Sequence, residues 1–160
     1  MADNAKLVDE LGRIDEQERR LTFERFDHDT AWALGVALRE AAMARGTKLV
    51  IDVSLQGQQL FHCALPGATP DNAEWIRRKR NTTLRFGRSS YAVGLSLRLQ
   101  ETTLEARSAL PTSDFASHGG SFPIRLSAGG PCIGAVTVSG LPQREDHALV
   151  VEVLARHLGH

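Results

Sequence analysis

Apolar residues alternate with polar ones in several short stretches of the chain, and this alternation predicts strands. The clearest stretch covers residues 48–55, in which Leu49, Ile51 and Val53 share one face. A turn at Gln56–Gln58 then leads into a returning strand. The pattern predicts five strands, over residues 21–26, 48–55, 59–65, 122–126 and 133–138. Because four of them form two hairpins, we expect a mainly antiparallel five-stranded sheet.

Apolar residues at helical spacing predict helices on both sides of these strands. One helix covers residues 3–20, a second follows a cap at Asp27 or Asp29 and ends at Gly46, and a third covers 73–86 after Thr69-Pro70-Asp71. A closing helix begins near Pro142. Residues 91–103 fit either a helix or turns, and 105–117 are expected to form a loop. The chain is therefore expected to be one α/β domain of the α+β type over residues 1–160, with helices flanking the sheet.

The composition excludes several classes of function. Nineteen basic residues balance nineteen acidic ones, so no net charge favours nucleic acid or a membrane. No apolar run is long enough to cross a membrane, and the charged N-terminus does not resemble a signal peptide, so we expect a cytoplasmic protein. Cys63 and Cys132 lie in predicted strands and are expected to be free thiols. The six histidines show no metal-ligand spacing, and no nucleophile motif is present, so we predict neither a metal site nor a catalytic residue.

The strongest local charge feature is the basic run between Trp75 and Asn81. Four consecutive cations occupy positions 77–80, and each step along a helix rotates the side chain by about 100°. They must therefore point in different directions. Two interpretations stay open: a site for a carboxylate, phosphate or haem propionate, or a solvated helix face with salt bridges between subunits.

Two further segments carry candidate chemistry. Paired glycines in His118-Gly119-Gly120-Ser121 allow close approach of the backbone to a ligand, although the same pair also suits a simple turn. Asp146 and His147 stand near a helix start and are either an acid–base pair or surface and interface residues. Adjacent residues in a helix diverge, which disfavours direct pairing between these two.

Three stretches of the chain resemble the GlcG/HbpS-like family, also called the haem-degrading domain family. The matching stretches are Gly119–Ile124, Ile133–Gly140 and Glu145-Asp146. Most of the chain is similar to an uncharacterised branch of bacterial and fungal proteins of about this length. Its landmarks are Asp71-Asn72, Trp75-Ile76 with Lys79 and Asn81, Phe86 with Ser89-Ser90, and Val138–His147. The resemblance implies a profilin-like domain, assembly into homo-oligomers, and relatives that bind haem or other tetrapyrroles.

We therefore expect an oligomeric small-molecule-binding protein of the haem-binding type, whose ligand is haem or another anionic tetrapyrrole. The expected site residues are Trp75, Arg78, Lys79, Asn81, His118, Gly119, Gly120, Ser121, Arg144, Asp146 and His147. In this hypothesis Arg78 and Lys79 take the anionic group, Trp75 stacks on the ligand, and His118 or His147 is the axial or polar contact. Two alternatives remain. One is a non-catalytic scaffold that uses the same residues at subunit interfaces, and the other is an enzyme acting on a small anionic metabolite.

Overall fold

A computed structural model describes residues 2–160 as six helices and four strands. The helices are α1 (Ala2–Arg20), α2 (His28–Ala44), α3 (Pro70–Phe86), α4 (Ser90–Leu99), α5 (Leu104–Ser108) and α6 (Gln143–Leu158). The strands are β1 (Val50–Leu55), β2 (Gln58–Ala64), β3 (Ser121–Ile124) and β4 (Gly134–Ser139). They form one antiparallel sheet in the order β2-β1-β4-β3. Among residues 2–160, no helix is both long and apolar enough to span a membrane.

The prediction of an antiparallel sheet with flanking helices is confirmed, but the prediction of five strands is wrong. Residues 21–26 form an irregular segment rather than a first strand. The Phe23 N–H donates to the carbonyl of Arg125, just past β3, at 2.9 Å. Leu21 and Phe23 are buried in the main core. Their alternation therefore reflects insertion of two side chains into the core, and not pairing in a strand ladder.

The region between α3 and β3 contains more helix than the sequence indicated. Residues left open between helix and turns form α4, and the predicted loop that follows contains the short helix α5. Gly94 explains part of this ambiguity, because it weakens the helical pattern yet is required for packing. A Cβ at Gly94 would lie 2.2 Å from the carbonyl oxygen of Ser117. Cys132 lies just before β4 rather than inside a strand, and both cysteines are free.

The sheet has two chemically different faces, which we call the apolar face and the polar face. On β1, Ile51 and Val53 point to the apolar face, which packs against α2 and α6. Asp52 and Ser54 point to the opposite, polar face, which α3 covers. Across the strands, the register aligns one polar row made of His62, Asp52, Thr137 and Ser121. The buried polar groups on this face therefore need hydrogen-bond partners on α3 and its neighbours.

Candidate functional site

Helix α3 begins with a capping box and carries its basic run across the polar face. The Asn72 side chain accepts the Thr69 N–H at 2.9 Å, and Pro70 occupies the first turn. The four cations then separate as the helical rotation requires. Arg77 pairs with Glu74 and Asp114 on the surface, whereas Arg80 donates to Asp52 at 3.0 Å. Two members of the run are therefore committed to carboxylates of the same chain.

Lys79 points inward and forms a buried ion pair. Its Nζ lies 2.9 Å from Oδ2 of Asp146 and also donates to the Val138 carbonyl at 3.3 Å. Asp146 accepts the Leu141 N–H at 3.0 Å through its other oxygen. Burial lowers the pKa of Lys79 and raises the pKa of Asp146, and in each case the charge of the partner opposes the shift. The pair ties α3 to β4 and to the first turn of α6.

The glycine pair lies directly against this ion pair. A Cβ on Gly120 would lie 2.8 Å from Nζ of Lys79, and the residue has a positive φ of 136°. A Cβ on Gly119 would lie 2.3 Å from the Gln143 carbonyl oxygen. Ser121 is fully buried, and its hydroxyl shares a hydrogen bond of 2.9 Å with Thr137. Gly119, Gly120 and Ser121 therefore pack against protein groups, in the manner of the simple turn considered above.

The more exposed part of the site is a cluster of Trp75, Arg78 and His118. The rings of Trp75 and His118 meet edge to face with centroids 5.2 Å apart. The Arg78 guanidinium lies over the Trp75 ring, 4.1 Å from its centroid. Desolvation, together with the charges of Lys79 and Arg78, lowers the pKa of His118. Its imidazole is consequently neutral at pH 7.

Arg78 and His118 also line a cavity of about 300 Å³ between α4 and the segment that leads into β3. We call this space the first cavity. Its lining is mainly apolar, from Leu95, Leu97, Leu104, Phe115 and Ala116, with Arg98 as a second cation. Sequence reasoning missed these residues because α4 was not resolved as a helix and no motif marks them. Arg98, the cation at the end of α4, was the signal in the sequence that could have indicated this cavity.

Three other expected site residues lie away from this cavity. The Asn81 amide donates to the Asp114 carbonyl at 2.8 Å, and Arg144 pairs with Glu10 of α1. His147 is buried against Tyr91 and Phe122, and its Nε2 lies 2.8 Å from Oε1 of Gln17. Burial lowers the pKa of His147 to about 4. Asp146 and His147 do diverge, so they form no acid–base pair. Among residues 2–160, no group of three or more His, Cys, Asp or Glu side chains is arranged to hold a metal ion.

A second, smaller cavity adjoins the first one. It measures about 160 Å³ and is lined by Phe86, Arg88, Val93, Ser96, Leu97, Leu104, Arg107 and Ser108. Leu97 and Leu104 line both cavities and so form a shared wall. Leu104 lies between two residues that have a left-handed backbone and are not glycine, Glu101 (φ 50°) and Ala109 (φ 54°).

A four-stranded antiparallel sheet with helices on both faces defines the class of this protein as α+β. Within that class, residues 26–155 match the sequence model of a family described as "Haem degrading protein HbpS-like". The chain belongs to this HbpS-like family, as its sequence predicts. Helix α1 lies outside the matched region.

Individual proteins extend the same comparison. A UPF0303 protein of Rhizobium meliloti is 61% identical over 150 residues, which are 94% of this chain and 91% of that protein. The crystal structure of the Ybr137w protein superimposes with a TM-score of 0.86 at 31% identity, covering 93% of this chain and 87% of that one. The fold is also similar to the crystal structure of a PduOC:Heme complex, with a TM-score of 0.63 at 19% identity, covering 76% and 87% of the two chains.

Proposed function

We propose that this chain is a small-molecule-binding protein whose ligand is an apolar, anionic ring system of the tetrapyrrole class, with haem as the first candidate. The observation that carries the proposal is the position of His118, which stands beside Trp75 and Arg78 at a mainly apolar cavity of about 300 Å³. Family membership supports the same ligand class, as does the fold shared with a haem complex.

The chemistry of the lining fits such a ligand. Small-molecule sites combine apolar walls with a few placed polar groups, and the first cavity has this composition. Arg78 and Arg98 would hold the carboxylates, because guanidinium groups bind carboxylates with two parallel hydrogen bonds. Trp75 would offer a ring face or edge at the rim. Lys79 is assigned a different role from the one expected, since its ammonium is already paired with Asp146.

His118 would hold the haem iron through its imidazole. A ligating imidazole must be unprotonated, and the lowered pKa of His118 provides this form at neutral pH. His147 suits the task less well, because it is buried beneath α1 and bonded to Gln17. Bound haem would supply redox or oxygen chemistry. The residues described here bind and orient the ligand, and we propose no catalytic group.

The decisive experiment is a titration of the purified protein with haem, followed by absorbance. We expect a saturable shift of the Soret band at one haem per chain. His118→Ala should weaken binding at least tenfold, whereas His62→Ala, a control at an exposed histidine of β2, should leave it unchanged. A Trp32→Phe background leaves Trp75 as the remaining tryptophan, and quenching of its fluorescence reports occupancy of this site. Haem uptake that does not saturate, or that is equal in His118→Ala, would overturn the proposal.

Self-association is proposed as a second property of the chain. The first cavity is at the small end of the range for drug-sized ligands, so a flat macrocycle would extend beyond it. Exposed apolar side chains at Trp32, Met43 and Leu126 offer contact area for another copy. Light scattering after size-exclusion chromatography, with and without haem, measures the subunit number. A monomer under both conditions would contradict this proposal and would also exclude the oligomeric scaffold.

A further inference from the structure

The second cavity combines an apolar lining with a cation, Arg107, that pairs with no carboxylate within residues 2–160. Phe86, Val93, Leu97 and Leu104 supply the apolar lining, and Ser96 and Ser108 also line the cavity. Within residues 2–160, Arg107 forms no ion pair, and its guanidinium donates to the amide oxygen of Gln100 at 2.6 Å. Neither the family resemblance nor the proposed function assigns a role to Ser96, Arg107 or Ser108.

The other arginine of this cavity differs in its electrostatics. Arg88 pairs with Asp15 and with Glu18 of α1, and its Nε lies 2.8 Å from Oε2 of Glu18. Its charge is therefore balanced by two carboxylates. Arg107 alone gives the rim of the second cavity an unbalanced positive charge, which attracts an anion to a position next to apolar surface.

The size of the cavity limits the apolar part of a ligand. An apolar cavity of about 150 Å³ in a protein interior accommodates one benzene molecule. The second cavity, at about 160 Å³, has room for one ring of that size. It has about half the volume of the first cavity and is lined by different cations, so this space is not simply an extension of the haem site.

We propose that the second cavity is a binding site for a small aromatic carboxylate, with the ring among the four apolar side chains and the carboxylate on Arg107. The hydroxyls of Ser96 and Ser108 are additional donors to the carboxylate. This site is independent of His118 and does not require haem to be the ligand of the first cavity.

Phenylacetate is the probe for this site, and binding is measured by saturation-transfer NMR with the full-length protein. We expect saturable binding of phenylacetate. 2-Phenylethanol, a neutral molecule of similar shape, should bind at least tenfold more weakly. Arg107→Gln should reduce phenylacetate affinity at least tenfold, because the charge is lost. Arg39→Gln, at an exposed arginine of α2 away from the cavity, should leave it unchanged. Ser96→Leu, which fills the cavity, should abolish binding.

The outcomes separate this proposal from the haem proposal. Absent or non-saturating phenylacetate binding, or equal affinities in the wild type and Arg107→Gln, would overturn it. So would equal affinity for 2-phenylethanol, because recognition would then not involve the charge. Retained haem binding in Arg107→Gln is expected, since the two sites use different cations. A failed haem titration combined with phenylacetate binding that needs Arg107 would overturn the haem proposal alone.

Discussion

The two faces of the central sheet are both buried, yet they are held by different forces. On the apolar face, side chains such as Ile51, Val53 and Phe122 pack against α2 and α6, and burial of this kind has little directional preference. On the polar face, Asp52 and Thr137 are equally buried but are matched by hydrogen bonds. Hydrogen bonds have narrow geometry, so the polar face fixes the position of α3. This difference bears on the proposed binding site, because α3 carries Trp75 and Arg78.

The largest expected effect comes from breaking the apolar face. Phe122→Ala should lower the free energy of unfolding by about 4 kcal/mol, because it removes a fully buried aromatic side chain and leaves a cavity. Urea denaturation followed by circular dichroism measures this loss. Leu126→Ala, at an exposed position just past β3, is the control and should change stability by less than about 0.5 kcal/mol. Similar losses in the two variants would contradict the assignment of Phe122 to the core.

A somewhat smaller effect is expected from breaking the buried ion pair between Lys79 and Asp146. Lys79→Met leaves the Asp146 carboxylate buried without its cation, and stability should fall by about 3 kcal/mol. The double variant Lys79→Met/Asp146→Leu should recover most of this loss, because it removes both charges together. If the double variant were as unstable as the single one, the ion pair would not be the cause. The same denaturation experiment compares the three proteins.

The smallest of the three effects depends on pH and comes from His147 of α6. Since the pKa of His147 is about 4 in the folded protein and near 6.5 in the unfolded chain, only the unfolded chain gains its proton between these values. Stability is fully present above pH 6.5 and is lost as the pH falls toward 4. Between pH 8 and pH 5 the contribution of His147 is a loss of about 2 kcal/mol.

Thermal or urea unfolding across this pH range tests the prediction for His147. His147→Gln removes the titrating group, so its stability should depend less on pH than that of the wild type. His62→Ala, at a histidine that is more than a third exposed, controls for the removal of an imidazole outside the core. Parallel curves for the wild type and His147→Gln would show that another group is responsible.

Most elements of the fold could be predicted from the sequence, because one short-range pattern determines each of them. Alternation in β1 and the cap before α3 were recognised in this way. The segment 21–26 shows the limit, because alternation also arises when Leu21 and Phe23 insert into a core without a partner strand. A local pattern does not distinguish these two cases.

The candidate site was only partly predictable for the same physical reason. The rotation of a helix indicated that the basic run would separate, and the structure brings Trp75, Arg78 and His118 together. It did not indicate which cation would turn inward, because the partner of Lys79 lies 67 residues further along the chain. Arg98 and Leu104 were missed because cavity walls depend on tertiary packing and leave no periodic signal.

The wall shared by Leu97 and Leu104 has a thermodynamic consequence for the two cavities. A rotamer change at either leucine alters the shape of both spaces at once. If a molecule in the second cavity changes the affinity of the first cavity for its ligand, that ligand must change the affinity of the second cavity by the same factor. Under the two binding proposals, the occupancy of each cavity would then depend on the concentrations of both ligands.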